Sequence, residues 1–317
     1  MNILVVGAGA VGCKYASHFQ HSGNTVSLVC RSNYKVVKAN GVKLETPDGN
    51  SHVFYPDYVY CDTSEAAGSY DHVVVTTKAI PNINVVELIK PIVSTNTMIH
   101  LIQNGIGIED DVSKQYPNNP IVSCIAYIAC HQKELGTVLV TSKVTYFTAG
   151  LFEMDTIANE KLQSFIDCGV SGGLDIFRDD CIQRARWWKL IWNGSFNPLS
   201  IVAGNKNCKE MLADPHLHSL VRTLMNEVIT VANLVCTEKI PLKAVDEHIA
   251  YTEKLGEYKP SMLLDWENGN PIEIKTILEN PIALANKHGL DMPNFKFIYR
   301  LLQAKVNERN TKGVVQR

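Results

Sequence analysis

The sequence predicts an α/β domain on a mostly parallel sheet, followed by an all-helical domain. Three observations predict it. Apolar runs alternate with helical periods from the first residues onward. The run at 72–76 is almost wholly apolar, as a strand covered on both faces requires. After Asp180 strand patterns stop and only helical periods follow.

The elements follow in order. Residues 2–6 form an apolar strand ending at Gly7, 11–22 carry helical spacing, and 25–30 form a second strand. That is a β-α-β unit within about 30 residues. Residues 42–44 with Phe54 suggest a short extension after the second strand. Strands are expected at 72–76, 97–102 and 121–129, with a helix at 83–89. Residues 136–151 alternate, and Gly136-Thr137 marks a turn, so an antiparallel extension closing the sheet is expected. A helix at 161–168 and a last strand at 174–178 complete the domain. Helical periods then cover 184–199, 217–236, 242–255, 271–288 and 294–307. The division is therefore expected at residues 1–180 and 181–317.

Bulk properties narrow the function classes. The 317 residues are 45% hydrophobic, enough for two ordinary cores. A net charge of −2, without long runs of one sign, excludes a nucleic-acid-binding field. The nine cysteines are scattered and lack a C-x-x-C pair, so neither a disulfide framework nor a metal site is expected. No apolar run reaches the roughly 18 residues of a transmembrane helix, and the first strand starts at Asn2 with no room for a signal peptide. A cytoplasmic protein is expected.

Gly7-Ala8-Gly9-Ala10-Val11-Gly12 fits G-x-G-x-x-G between an apolar strand and a helix. That context makes it a Rossmann-type dinucleotide-binding turn. Gly7 permits the turn, Gly9 lets a pyrophosphate approach the backbone, and Gly12 lets the helix pack on the strand. The helix N-terminus offers unpaired N–H groups to the phosphates. At the end of the second strand, where a carboxylate would hold the ribose hydroxyls of NAD, stands Cys30-Arg31-Ser32-Asn33. Arg31 can pair with a 2′-phosphate, and Ser32 or Asn33 could add hydrogen bonds, so the cofactor is expected to be NADPH.

Further segments carry a family resemblance. Thr77-Lys78-Ala79 follows the third strand of the parallel series, and Gln103-Asn104-Gly105 follows the fourth. Trp188-Lys189-Leu190 leads to Asn193 and Asn197-Pro198-Leu199. Pro260-Ser261-Met262-Leu263 precedes Glu273 by twelve residues, counted from Ser261. In order and spacing this resembles the ketopantoate reductase (2-dehydropantoate 2-reductase) family, nearly from end to end. The resemblance implies a Rossmann-like N-terminal domain, an all-α C-terminal domain of the 6-phosphogluconate dehydrogenase C-terminal type, and NADPH-dependent reduction of a 2-keto acid. The best-matching reaction is 2-dehydropantoate to pantoate, as in pantothenate biosynthesis.

Lys189, Asn193 and Asn197 lie at i, i+4 and i+8, so a helix would bring them to one face. Pro198 would end or kink that helix. The resemblance makes Lys189 the general acid for the developing alkoxide, and Asn193 and Asn197 substrate-orienting groups. Lys78 and Asn104 would lie by the cofactor, with Asn104 near nicotinamide and substrate. Ser261 is either a helix cap or, by resemblance, a hydrogen-bond donor to the substrate carboxylate. Glu273 has two readings as well. Asn270-Pro271-Ile272-Glu273 fits an N-cap, a proline at N1 and a capping-box glutamate; the resemblance makes it a substrate-binding and lysine-positioning residue.

Three departures fall on the substrate side: Tyr258 where pantoate-forming members commonly have asparagine, Lys275 for an aspartate, and Leu278-Glu279 followed by Asn280-Pro281 for an Asn-Gly. They leave open a 2-hydroxyacid dehydrogenase acting on another branched or aromatic keto acid. A non-catalytic NADPH sensor is the alternative of another class. Trp188 and Trp192 are expected to serve packing, and the helical domain could support a homodimer.

Overall fold

The computed structural model describes residues 1–142, 145–153 and 155–315, with side chains through Thr311. The chain forms two compact units. The first is Met1–Gln103 with Ile108–Ile182; the second is Gln183–Arg317 with the short segment Asn104–Gly107. The division differs from a single cut at 180, because the loop after one strand of the first unit is counted with the helices.

The first unit opens with β1 (Asn2–Val6), α1 (Ala10–His21) and β2 (Thr25–Val29). It continues with α2 (Tyr34–Asn40), β3 (Val42–Glu45), β4 (Ser51–Phe54), β5 (Tyr58–Tyr60) and β6 (His72–Val75). Next come α3 (Val85–Ile89), β7 (Met98–Ile102), α4 (Asp110–Gln115) and β8 (Ile121–Tyr127). β9 (Cys130–Glu134), β10 (Thr137–Val140), β11 (Tyr146–Leu151), α5 (Thr156–Ser171) and β12 (Asp175–Arg178) end it. The main sheet has eight strands in the order β12-β11-β8-β7-β6-β1-β2-β5. β1 pairs in parallel with both β2 and β6. The chain therefore leaves β1 toward one side and returns on its other side, which makes the carboxyl ends of β1 and β6 the topological switch point. β6 and β7 are buried along their whole lengths, and their two histidines, His72 and His100, meet ring to ring at 2.9 Å within an otherwise apolar pair of strands.

The alternating stretch 136–151 divides differently from expectation, and its residues 143 and 144 lie outside the described ones. Only β11 joins the main sheet, antiparallel to β8. The turn at Gly136-Thr137 instead links β9 to β10 in a separate four-stranded sheet of order β4-β3-β10-β9. The residues at 42–44 and Phe54 belong to that small sheet. α5 begins earlier than expected, because the Asp155 carboxylate caps it by accepting from Ala158 N at 2.7 Å.

The second unit contains α6 (Ile182–Val202), α7 (Cys208–Ala213), α8 (Pro215–Val235), α9 (Ala244–Leu255) and α10 (Ser261–Glu267). A π-helical turn (Lys275–Glu279), α11 (Asn280–Lys287) and α12 (Pro293–Val315) follow. Among its described residues there is no strand. Asp214 caps α8, accepting from His216 N and Leu217 N, with Pro215 in the first turn. The buried stripe of α8 (Val221, Leu224, Met225, Val228, Ile229, Val231, Ala232) packs in one core with Ile191, Phe196, Ile277 and Phe295.

Two helix readings are corrected. Pro198 does not end α6; it sits inside the helix, which runs on to Val202. The period at 271–288 is not one helix, since residues 271–273 lie outside any helix ahead of the π turn.

Candidate active site

Two clusters of sequence-predicted residues can be built up separately. In the first unit, β1 delivers the chain into Gly7, whose φ of +110° favours glycine. A Cβ there would lie 2.9 Å from Thr77 N. A Cβ on Gly12 would lie 2.3 Å from Gly7 O and 2.4 Å from Thr76 Oγ1. Thr76 donates its hydroxyl to Gly7 O at 2.6 Å, so α1 is locked onto the ends of β1 and β6. Gly9 differs: a Cβ there would meet nothing within 4 Å. It is the N-cap of α1, without a side-chain cap and without an acidic residue in the first turn. Room beside an uncapped helix N-terminus fits the pyrophosphate of a dinucleotide.

The loop after β2 holds two different side chains. Arg31 is exposed and forms no ion pair among the described residues. Asn33 is buried, and it corrects the expectation of a phosphate contact. Its Nδ2 donates to Ala8 O at 2.9 Å, while its Oδ1 accepts from Gln132 Nε2 at 2.8 Å and Gly136 N at 3.2 Å. Both ends of the amide are thus committed to holding the glycine loop against the β9–β10 turn. Lys78 is exposed in the loop after β6. Gln103 Nε2 secures that loop by donating to Thr77 O at 2.7 Å.

In the second unit Lys189, Asn193 and Asn197 stand along α6, with both asparagines buried. Asn197 has both amide atoms buried without a hydrogen-bond partner among the described residues. Lys189 Nζ donates to Asn104 Oδ1 at 2.9 Å, and Asn104 Nδ2 donates to Glu273 Oε2 at 3.0 Å. The amide orientation follows from its neighbours, since an ammonium has only donors and a carboxylate only acceptors. Asn104 therefore bridges the lysine to the glutamate. Burial, then the nearby Arg186 guanidinium, pulls the Lys189 pKa from 10.5 to about 8, against the opposing pull of Glu273.

Glu273 is buried, precedes the helical turn, and accepts from Asn104 Nδ2. The capping-box reading is overturned, because the helical turn starts only after Glu273 and Asn270 N donates to Asp265 O at 2.8 Å instead. The helix-cap reading of Ser261 falls too. Pro260 occupies the cap position of α10, and Ser261 is exposed in the first turn with no hydrogen bond from its hydroxyl among the described residues.

Sequence reasoning missed what holds Asn104. Arg186, buried one turn before Lys189, donates to Gly105 O at 3.1 Å. Ile106 N donates to Thr276 O at 2.8 Å, and Asn280 Nδ2 donates to Ile106 O at 2.7 Å. Gly105 has a φ of +91°, and a Cβ would collide with Thr276 at 2.4 Å. Only the i−3 spacing of Arg186 from Lys189 could have signalled any of this. The tryptophans serve packing as expected: Trp192 Nε1 donates to Thr252 Oγ1 at 2.9 Å, and Trp188 lies 4.9 Å from the His248 ring. The Tyr258 ring stands 6.0 Å from Trp192.

Comparison with known proteins decides the family. Residues 3–152 match the family "Ketopantoate reductase PanE/ApbA", and residues 181–306 match its C-terminal counterpart. A 2-dehydropantoate 2-reductase structure from Geobacter metallireducens GS-15 is 31% identical, with a TM-score of 0.89 over 96% of this chain and 100% of that one. The chain belongs to the ketopantoate reductase family. A 2-dehydropantoate 2-reductase of Nostoc sp. is 27% identical over 98% of this chain and 96% of its own. A D-mandelate dehydrogenase structure described with NADH and anilino(oxo)acetate shares the fold, at 23% identity and a TM-score of 0.87 over 98% of this chain and 99% of that one. As a member of this family the chain is an oxidoreductase with a Rossmann-like domain and a helical C-terminal domain. Among its described residues no helix is long and apolar enough to cross a membrane, and no cluster of His, Cys, Asp and Glu could hold a metal.

Proposed function

We propose that this chain reduces 2-dehydropantoate to pantoate with NADPH. The observation that carries the reading is the Lys189–Asn104–Glu273 constellation, with an ammonium whose pKa lies near 8. NADPH held at the glycine loop would supply a hydride for the keto carbon. As that carbon–oxygen π bond breaks, the oxygen gains negative charge and needs a proton. Lys189 stabilises that charge and delivers the proton, giving the 2-hydroxy acid and a neutral amine that reprotonates from solvent. A pKa near 8 keeps the lysine charged at neutral pH while making its proton easier to give up. Asn104 aims the ammonium, and Glu273 fixes Asn104 by accepting from its amide. Asn193, Asn197 and Ser261 supply polar groups for the acid substrate, and the partnerless amide of Asn197 supports that role. Gly7 to Gly12, with Ala8, Ala10 and Val11 between, would hold the pyrophosphate, Arg31 would pair with the 2′-phosphate, and Lys78 would contribute from the loop after β6.

Tyr258 beside Trp192 favours a second substrate class, an aromatic or branched 2-keto acid. Nine free thiols suit a reducing cytoplasm, and a homodimer completes the reading. The test is NADPH oxidation by the purified protein with 2-dehydropantoate and a panel of branched and aromatic 2-keto acids. The highest kcat/KM is expected with 2-dehydropantoate. A preference for phenylglyoxylate of tenfold or more would transfer the activity to the second class. Tight NADPH binding with no turnover of any member would make the chain a sensor instead.

A further inference from the structure

Asn104 is the joint of the proposed site, and it lies in a four-residue segment of the helical unit in which the Ile106 side chain is buried in the core and the Ile106 backbone makes two further bonds. Those bonds trace to a peculiarity of the π turn. Asn280 N donates to Lys275 O, the i+5 pairing of a π-helix. In that register Thr276 O would receive the N–H of residue 281, but residue 281 is proline and has none. Thr276 O is left turned to an outside donor, and it accepts Ile106 N at 2.8 Å. The residue before the proline, Asn280, donates its side-chain amide to Ile106 O at 2.7 Å. The Asn280-Pro281 pair thus docks both polar groups of the Ile106 backbone. Gly105 permits the approach, since any Cβ there would strike Thr276.

We propose that Asn280 and Pro281 are positioning residues that, through Ile106, hold Asn104 between Lys189 and Glu273. The proposal rests on the reading of Lys189 as the acid. It gives a purpose to the departure of this chain at 278–281. Neither residue donates or accepts a bond at Lys189 or Glu273, so their effect must pass through Asn104.

Asn280→Ala tests it by two independent readouts. In turnover, kcat is expected to fall about tenfold, the scale of one buried hydrogen bond, with the NADPH dissociation constant unchanged. In the Asn104→Ala background the same substitution should lower kcat by less than about twofold, because its route is already cut. An undiminished loss in that background, or a single-variant loss under twofold, would overturn the proposal. Hydrogen–deuterium exchange of residues 103–108 reads the docking without any activity. Exchange there should speed up at least fivefold in Asn280→Ala, and by a smaller factor in Pro281→Ala, whose restored N–H competes for Thr276 O. Unchanged exchange at 103–108 would refute the docking whether or not the enzyme turns over. A wild type that reduces no 2-keto acid would instead sink the acid role of Lys189 and leave the exchange result to judge the docking.

Discussion

The glycine loop and the lysine cluster solve recognition in opposite ways. The loop works with backbone and space: Gly12 packs where a methyl cannot fit, and Gly9 keeps open what a methyl would fill. The lysine cluster works with side chains from distant segments, Lys189 from α6, Asn104 from a loop and Glu273 from the segment ahead of the π turn. Backbone sites tolerate little substitution but are written locally. Side-chain sites are tuned by electrostatics and assembled only by the tertiary fold.

The largest expected effect breaks the side-chain end. Lys189→Ala should cost roughly 10²–10⁴-fold in kcat while NADPH still binds, measured by steady-state turnover and fluorescence titration. In the wild type the reduction rate should fall as pH rises through about 8, where Lys189 loses its proton. The sign of each neighbour can be checked on that alkaline limb. Glu273 raises the lysine pKa, so Glu273→Gln should move the limb to lower pH; Arg186 lowers it, so Arg186→Met should move it higher. A limb that stays in place in both variants would remove Lys189 as its origin.

The backbone end is sharpened by comparing two glycines of one motif. Gly12→Ala puts a methyl against Gly7 O and Thr76 and should cost about 1–3 kcal/mol of stability, together with dinucleotide binding. Gly9→Ala meets nothing, so its melting temperature without ligand should match the wild type within about a degree. Its NADPH affinity should still drop about tenfold, because the methyl occupies the approach to the pyrophosphate. Equal melting losses for both variants would erase the distinction between packing and access.

The same contrast explains what could be read in advance. The β-α-β unit and glycine loop obey rules that span about 30 residues, and Asn2–Val6, Ala10–His21 and Thr25–Val29 fall where periodicity puts them. The shared helix of Lys189, Asn193 and Asn197 was legible from i+4 spacing alone. The bridge through Asn104 was not, because its partners lie 85 and 169 residues away. Glu273 shows how a local rule can mislead: its sequence fits a capping box, but a buried amide offers the carboxylate a partner that no local pattern encodes. The Gly136-Thr137 turn was visible, yet not the sheet it serves, which forms by pairing β10 with β3 across more than ninety residues of chain.

The smallest expected effects concern the loop after β2, where the contrast is least clean. Arg31→Ala should lower the NADPH-over-NADH ratio of kcat/KM about tenfold, by losing charge-assisted bonds to one phosphate. Asn33→Ala should leave that ratio within about twofold and weaken both cofactors alike by a few-fold. Its amide touches Ala8 O, Gln132 and Gly136, so its loss loosens the glycine loop rather than the phosphate contact. Gln132→Ala removes one of the three bonds and should give the same pattern more weakly, whereas a change of the ratio in either variant would place Asn33 among the phosphate contacts after all. The backbone end would then prove less purely backbone than Gly7 to Gly12 suggest. Its glycines are written locally, but the side chain that braces them is held in turn by a sheet a hundred residues downstream.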